Sequence, residues 1–208
     1  SPILRLSLIR ELYPRAALKP IQLLQKLTQD ADPEVATAAE LQLFNNAPDL
    51  RLYKSLVERL DKGSLNLSQR TQLVKLVERL EETEARDGYL LQFLEISEEA
   101  LRVVATRQFF KFDLGELYPE TLATLLEDPA LSVRSQVVLY YSRNRDKMQS
   151  LDLEVWLESE FKDVRMALVR LAAGFPRGEV AELLFDLLLD DEIDVRVGAL
   201  TMYSRLRL

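Results

Sequence analysis

The chain contains neither cysteine nor histidine among its 208 residues. This excludes disulfide bonds, thiol nucleophiles and Ser-His triads, together with zinc, haem and iron–sulfur sites that take Cys or His as ligands. No apolar run approaches the roughly 20 residues of a membrane-spanning helix, so we expect no membrane insertion. A cysteine-free composition is typical of cytoplasmic proteins, although periplasmic proteins can lack cysteine too. We therefore expect a cytoplasmic location.

Glycine is scarce, and its pattern excludes the usual phosphate sites. The six glycines are scattered and form neither G-x-G-x-x-G nor a P-loop. No acidic loop has the ligand spacing of a calcium site. A site made only of carboxylates could act as general acid and base, but periodicity brings no pair of acids together in a cleft. We predict a protein without a catalytic, metal or cofactor site.

The remaining composition suits one domain or one compact array. Apolar residues make up 48% of the chain, and 34 acidic residues outnumber 27 basic ones, which gives a net charge of -7. This apolar fraction is enough for a sizeable core. No segment shows sustained strand alternation bounded by hairpin turns, so the fold class is expected to be all-α.

An internal repeat organises the sequence. Counting back from the C-terminus, an arginine recurs at intervals of roughly 31 to 34 residues, with one alanine in the series. These anchor positions are Arg196, Arg165, Arg134, Arg102, Arg70, Ala36 and Arg5. Residues three, four and seven places after each anchor are mostly apolar, which predicts a helix with one buried face. Other apolar segments between the anchors predict a second helix in each unit.

Proline marks the start of two anchor helices. Asp32-Pro33 and Asp128-Pro129 precede anchors, and proline is tolerated early in a helix because its missing N–H has no partner there. The predicted unit is therefore a pair of short helices with the anchor on the second. Such a pair cannot bury its apolar face alone, so it stacks on its neighbours.

The motifs in these units resemble HEAT repeats. The resemblance lies in Asp-Pro-x-x-x-Val-Arg at residues 128–134 and in the Asp-Val-Arg triplets that begin at Asp163 and Asp194. The short spacing is most similar to the compact HEAT-like class that includes phycobilisome lyase subunits. It implies an α-solenoid (armadillo/HEAT-like superhelix) of about six to seven two-helix repeats, with residues 1–208 forming a single array. The first unit is a half repeat over residues 3–13, and we expect a portion of a longer protein.

The anchor arginines are expected to be structural. Because they share a helix face with core positions, their guanidinium groups must lie within or beside the apolar stripe and need acidic or carbonyl partners. The expected structural ladder comprises Arg5, Arg70, Arg102, Arg134, Arg165 and Arg196. Asp163 and Asp194 are candidate partners, and the resemblance implies such a ladder between adjacent repeats. Ala36 predicts a local break in it.

A basic stripe is predicted on the opposite face of the second helices. Five and nine residues after the anchors, eight of fourteen positions are basic and none is acidic. The basic stripe consists of Arg10, Lys75, Arg79, Arg107, Lys111, Arg143, Arg170 and Arg205. The resemblance implies that these helices line a concave surface, where like charges would attract an acidic partner. The alternative is ordinary surface charge, since helix C-termini favour basic residues; this does not explain mid-helix Lys75, Arg107 and Arg170.

The first helices of the C-terminal half are expected to give the outer surface of this half a negative charge. Residues 176–192 contain six acids and one base, and residues 149–161 contain four acids and no base. Such a surface either serves solubility or repels nucleic acid from that side. Trp156 and Tyr141 are expected in the core, while Tyr140 is expected near the rim of the groove.

Four functional hypotheses remain from different classes. The first is a non-enzymatic scaffold that binds an extended, acidic segment of a protein partner along the basic groove. The second is nucleic-acid binding, as in DNA-repair glycosylases of HEAT-like repeats, which the acidic composition disfavours. The third is a chaperone-like bilin-lyase subunit, and the fourth is a regulatory module of a larger protein such as a transporter.

Overall fold

The computed structural model describes residues 1–12 and 21–207, and all regular structure in these residues is helical. The all-α prediction is confirmed for this part of the chain. Its α-helices are α1 (Pro2–Ser7), α2 (Ile21–Leu27), α3 (Pro33–Asn46), α4 (Leu50–Asp61), α5 (Leu67–Leu76), α6 (Thr83–Leu94), α7 (Glu99–Lys111), α8 (Pro119–Leu126), α9 (Leu131–Arg143), α10 (Leu153–Leu157), α11 (Lys162–Leu171), α12 (Arg177–Leu187) and α13 (Ile193–Leu206). A π-helical turn (Leu8–Leu12) follows α1, and residue 13 of the expected half repeat lies outside the described residues.

The chain divides into two units, Ser1–Gln108 and Phe109–Leu208. In the first unit, α3 packs against its pair partner α2 and also against α1 and α5. In the second unit, α11 packs against α10 and also against α9 and α13. The anchor helices α1, α3 and α5 of the first unit therefore lie side by side, as do α9, α11 and α13 of the second unit.

Side-chain caps explain where several helices begin. The Asp32 carboxylate accepts hydrogen bonds from the N–H groups of Glu34 and Val35, and Pro33 is the first residue of α3, as expected. Asn66 and Gln69 form a reciprocal capping box at α5. The second proline signal was placed too early, because α9 begins at Leu131. Asp128 instead accepts from the Ala130 N–H and turns the chain before the helix.

Much of the core follows the repeat register, and two positions depart from it most clearly. Four residues after the anchor, Val74 and Val169 are buried, whereas Leu200 at the same position of α13 is 56% exposed. Five residues after Ala36, Leu41 is buried although that position was expected to face solvent. Helix α3 contacts both α5 and the π-helical turn after α1, and Leu41 lines a small cavity together with Ile9 and Gln69 of these elements.

Candidate functional site

Arg134 has the most complete set of partners among the anchor arginines. Its Nη1 donates to the carbonyl of Asp128 at 2.6 Å, while Nε and Nη2 donate to the two carboxylate oxygens of Asp163 at 3.0 and 2.8 Å. The guanidinium also lies 3.7 Å from the centre of the Phe161 ring. The residue is 5% exposed. Its charge is therefore compensated by a bidentate ion pair, a carbonyl and an aromatic face.

Arg165 repeats this arrangement with a different acid. Its Nη1 donates to the carbonyl of Ser159 at 2.5 Å, and Nε and Nη2 donate to Asp190 at 2.6 and 3.2 Å. In both arginines, Nη1 binds a carbonyl in the connection between the two helices of its own pair. Nε and Nη2 bind a carboxylate that belongs to the next helix pair. Arg5 bonds Asp30 and Arg70 bonds Glu98 in the same sense.

One expected partner is corrected by these contacts. Asp194 was a candidate partner for an anchor arginine, but its carboxylate accepts from Lys162 at 3.2 Å. Asp190 takes the expected role because it lies in the turn between α12 and α13, within reach of Arg165. Arg102 and Arg196 donate to carbonyl oxygens, Arg102 to Ile96 and Ser97 and Arg196 to Asp190 and Asp191.

An arginine outside the repeat register compensates at Ala36. Arg59 on α4 donates to Glu40 and Thr37 on α3, so a cross-helix ion pair lies beside the alanine anchor. Burial raises the pKa of Glu40, and the Arg59 charge opposes this effect. The sequence contained a signal for this pair, because Glu40 is a carboxylate at a position that is apolar in most other repeats.

The ladder predicts a pH effect that can be measured at Asp190. Burial raises the pKa of Asp190, but hydrogen bonds from Arg165 and from the Glu192 N–H outweigh it, so the pKa lies below its usual value. The Asp190 carboxylate therefore stabilises the fold above its unfolded pKa of 3.8, and this contribution is lost as the pH falls below that value. Between about pH 5 and pH 2, wild type should lose stability more steeply than Asp190→Asn in urea unfolding.

An exposed acid provides the control for this experiment. Asp146→Asn removes a carboxylate that is exposed and forms no ion pair with the residues that the structure describes, so it makes the same change in charge without breaking such a pair. Identical slopes for wild type and Asp190→Asn would contradict the assigned role of the Arg165–Asp190 pair.

All eight residues of the basic stripe are exposed. Lys75 and Arg170 were expected in mid-helix, but they lie in the last turns of α5 and α11, because these helices end at Leu76 and Leu171. Arg10 is paired with Glu34 at 2.7 Å, which neutralises one of the charges. Arg143, Arg170 and Arg205 make no hydrogen bond or ion pair with the residues that the structure describes. These three lie on α9, α11 and α13, so each of these helices carries one exposed stripe residue that lacks such a partner.

A groove runs between α11 and α13. Its volume is about 630 Å³, and its lining is mostly apolar. The lining residues are Lys162, Asp163, Met166, Arg170, Ile193, Asp194, Val195, Val197 and Gly198. A Cβ placed on Gly198 would lie 3.1 Å from both Cε and Sδ of Met166, so the absence of a side chain at Gly198 lets Met166 pack closely against α13 at this point of the lining.

The charges at the groove leave one cation without a counter-charge. Lys162 is engaged by Asp194 at 3.2 Å and lies 4.0 Å from Glu192, and Asp163 is held by Arg134. Arg170 is the stripe residue on this lining, and no acid pairs with it among the described residues. The groove thus combines apolar surface with an available guanidinium, which suits a segment that carries both apolar and acidic side chains.

Trp156, Tyr141 and Tyr140 each pack against another aromatic ring. Trp156 is 1% exposed and meets the edge of Tyr141 at a centroid distance of 5.8 Å, as expected for core residues. Tyr140 stacks on Phe110 at 4.3 Å and donates a hydrogen bond to Asp113. Lys147 also bonds Asp113, at 2.6 Å, and both hydrogen bonds hold the pKa of Asp113 below its usual value. These hydrogen bonds tie the turn after α7 to Tyr140 and Lys147. Both the ring and the hydroxyl of Tyr140 are therefore in contact with other residues.

Comparison with known proteins adds no family. No protein-family model matches the sequence, and no curated protein is similar to it. In the part of the chain that the structure describes, no three or more Asp or Glu residues are grouped so that they could bind a metal ion. Among these residues, no helix is both long and apolar enough to cross a membrane. The HEAT resemblance, the cytoplasmic location and the bilin-lyase and regulatory-module hypotheses stay predictions.

Proposed function

We propose that the chain is a non-enzymatic protein-binding module, built as an α-solenoid of the HEAT type, which holds an acidic segment of a partner against its basic stripe. The observation that carries this proposal is the α11–α13 groove. It offers open apolar surface and, at Arg170, a guanidinium without a partner among the described residues. The contacts of α3 with α1 and α5, and of α11 with α9 and α13, support the repeat architecture.

Charge distribution favours an acidic polypeptide over a nucleic acid. The first helices of the C-terminal unit expose many carboxylates, so repulsion would oppose an extended polyanion that passes beyond the stripe. A short acidic segment can avoid these carboxylates. The apolar lining of the groove also suits leucine or phenylalanine side chains better than phosphates. The stripe charges would mainly accelerate association, while apolar contacts in the groove would slow dissociation.

A displayed library of random peptides tests the kind of partner that the surface selects. Wild type is the target, and a variant that carries Arg143→Glu, Arg170→Glu and Arg205→Glu is the counter-target. Enriched peptides should combine Asp or Glu with Leu, Ile, Met or Phe. Enrichment of basic peptides, or of peptides that bind both proteins equally, would contradict the proposal.

Arg170→Glu measures the contribution of the groove cation. For a selected peptide, affinity should fall about 30-fold, because a desolvated charge contact of roughly 2 kcal/mol is replaced by repulsion. Fluorescence anisotropy with the labelled peptide gives the affinity. Lys54→Glu is the matched control, since Lys54 is an exposed base on α4 and its replacement makes the same change in net charge. Equal losses for the two variants would show that only net charge matters.

A further inference from the structure

A second cavity, of about 260 Å³, is lined by residues of α8, α9 and α10 in the second unit. Its lining residues all lie between Gly115 and Trp156, and none of them lines the α11–α13 groove. If each water-sized group takes about 30 Å³, the cavity holds roughly nine non-hydrogen atoms. This volume suits a small molecule and is too small for a helix or an extended segment of a polypeptide.

The cavity has an apolar interior and an acidic opening. Leu126 and Trp156 line the interior and are almost completely buried. Glu116 and Asp152 also line the cavity, and both are exposed, so their carboxylates lie toward solvent. Among the described residues, no lysine or arginine belongs to the lining. This distribution of charge favours a ligand with a cationic group and an apolar body.

The hydroxyl group of Tyr141 is a polar group inside the cavity that lacks a hydrogen-bond partner. Tyr141 is 2% exposed, and its hydroxyl forms no hydrogen bond with the residues that the structure describes. A Cβ on Gly115 would lie 3.6 Å from the hydroxyl oxygen, so the hydroxyl lies beside a lining residue without a side chain. Because buried tyrosine hydroxyls ordinarily have a partner, this one is available to a ligand in the cavity.

The two carboxylates of the opening differ in their availability. Glu116 accepts a hydrogen bond from Lys147 at 3.1 Å, which compensates its charge. Asp152 caps α10 by accepting from the N–H of Glu154 at 3.2 Å, and it forms no ion pair with the described residues. A carboxylate can accept several hydrogen bonds, so the cap leaves Asp152 able to bind a cation as well.

We propose that this cavity binds a small organic amine that carries a hydroxyl group at its other end. The ammonium group donates to the Asp152 carboxylate at the opening, and the apolar body packs against Leu126 and Trp156. The hydroxyl group of the ligand forms a hydrogen bond with the hydroxyl of Tyr141 in the interior. This site goes beyond the function proposed for the α11–α13 groove and does not depend on it.

Three probes that share a phenol ring and differ in charge test the site. They are tyramine, which carries an ammonium group, the neutral alcohol tyrosol, and the anion 4-hydroxyphenylacetate. Trp156 is the only tryptophan of the chain, so its selectively excited fluorescence reports on the cavity. Tyramine should bind with a dissociation constant of about 0.1–1 mM, as expected for a ligand of this size, and should raise the urea midpoint. Tyrosol should bind about tenfold more weakly, and 4-hydroxyphenylacetate more weakly still.

Variants of the lining separate the two polar contacts. Asp152→Asn keeps the helix cap, because asparagine caps as well as aspartate does, and it should lower the affinity for tyramine about tenfold. Tyr141→Phe keeps the ring and should lower this affinity about fivefold. Glu154→Gln is the matched control, since Glu154 is an exposed carboxylate on α10 outside the lining, and it should bind tyramine as wild type does.

Three results would overturn the proposal. They are the absence of saturable tyramine binding, equal binding of the three probes, and equal losses of affinity in Asp152→Asn and Glu154→Gln. The peptides selected for the α11–α13 groove provide a separate readout, because Asp152→Asn should bind them as wild type does. Failure of the amine site is therefore distinguishable from failure of the proposed function.

Discussion

Trp156→Ala should lower the free energy of unfolding by about 3–5 kcal/mol, the cost of removing a large aromatic side chain from a packed core. Trp156 is 1% exposed and contacts the edge of Tyr141, so its removal would leave a cavity inside the protein. Urea unfolding followed by circular dichroism measures the loss. Trp156→Phe keeps much of the aromatic volume and should cost about 1–2 kcal/mol.

The same variant separates a core role from a ligand platform. If Trp156 only packs the core, Trp156→Phe should bind a selected peptide as wild type does. A tryptophan that contacted the ligand would instead lose affinity without a matching loss of stability, and this result would contradict the assignment.

Arg134→Met should lower the free energy of unfolding by about 2–4 kcal/mol. The change leaves Asp163 and the carbonyl of Asp128 without their donor and removes the guanidinium from the Phe161 ring. The lower half of the range is expected because the Asp163 side chain is 36% exposed and water can solvate it. The slope of the urea transition should stay unchanged if the fold is kept.

Arg196→Met is the matched control for Arg134→Met. Arg196 keeps the carbonyl contacts of an anchor but holds no carboxylate among the described residues. Its replacement should cost about 1 kcal/mol. Equal costs at the two positions would show that the carboxylate of the next helix pair contributes little, and would contradict the account of the ladder.

Helix class and repeat register could be predicted because they depend on local spacing. The core positions after Arg70 and Arg165 follow directly from a period of 3.6 residues, and the cap at Asp32 follows from a short-range hydrogen bond. The partner of Arg165 could not be fixed in this way. Asp190 and Asp194 are both near the start of the next second helix, and only the path of the intervening turn brings Asp190 to the guanidinium.

The candidate site shows the same division. Periodicity predicts that the stripe positions leave the core, and all eight basic residues are exposed. It does not predict the α11–α13 groove, because the packing of Met166 against Gly198 joins residues on two different helices. Leu41 fails for a related reason, because its burial depends on the neighbours of α3 and not on the spacing within α3.

The most direct test compares ligands on wild type and on the stripe variant with Arg143→Glu, Arg170→Glu and Arg205→Glu. Fluorescence anisotropy is measured with a selected acidic peptide and with duplex DNA, at about 50 and 200 mM salt, where phosphate contacts weaken steeply. The proposal predicts that wild type binds the peptide at both salt concentrations, that the variant loses this binding, and that DNA binds neither protein. DNA binding to wild type that collapses with salt and with the variant, without peptide binding, would contradict it.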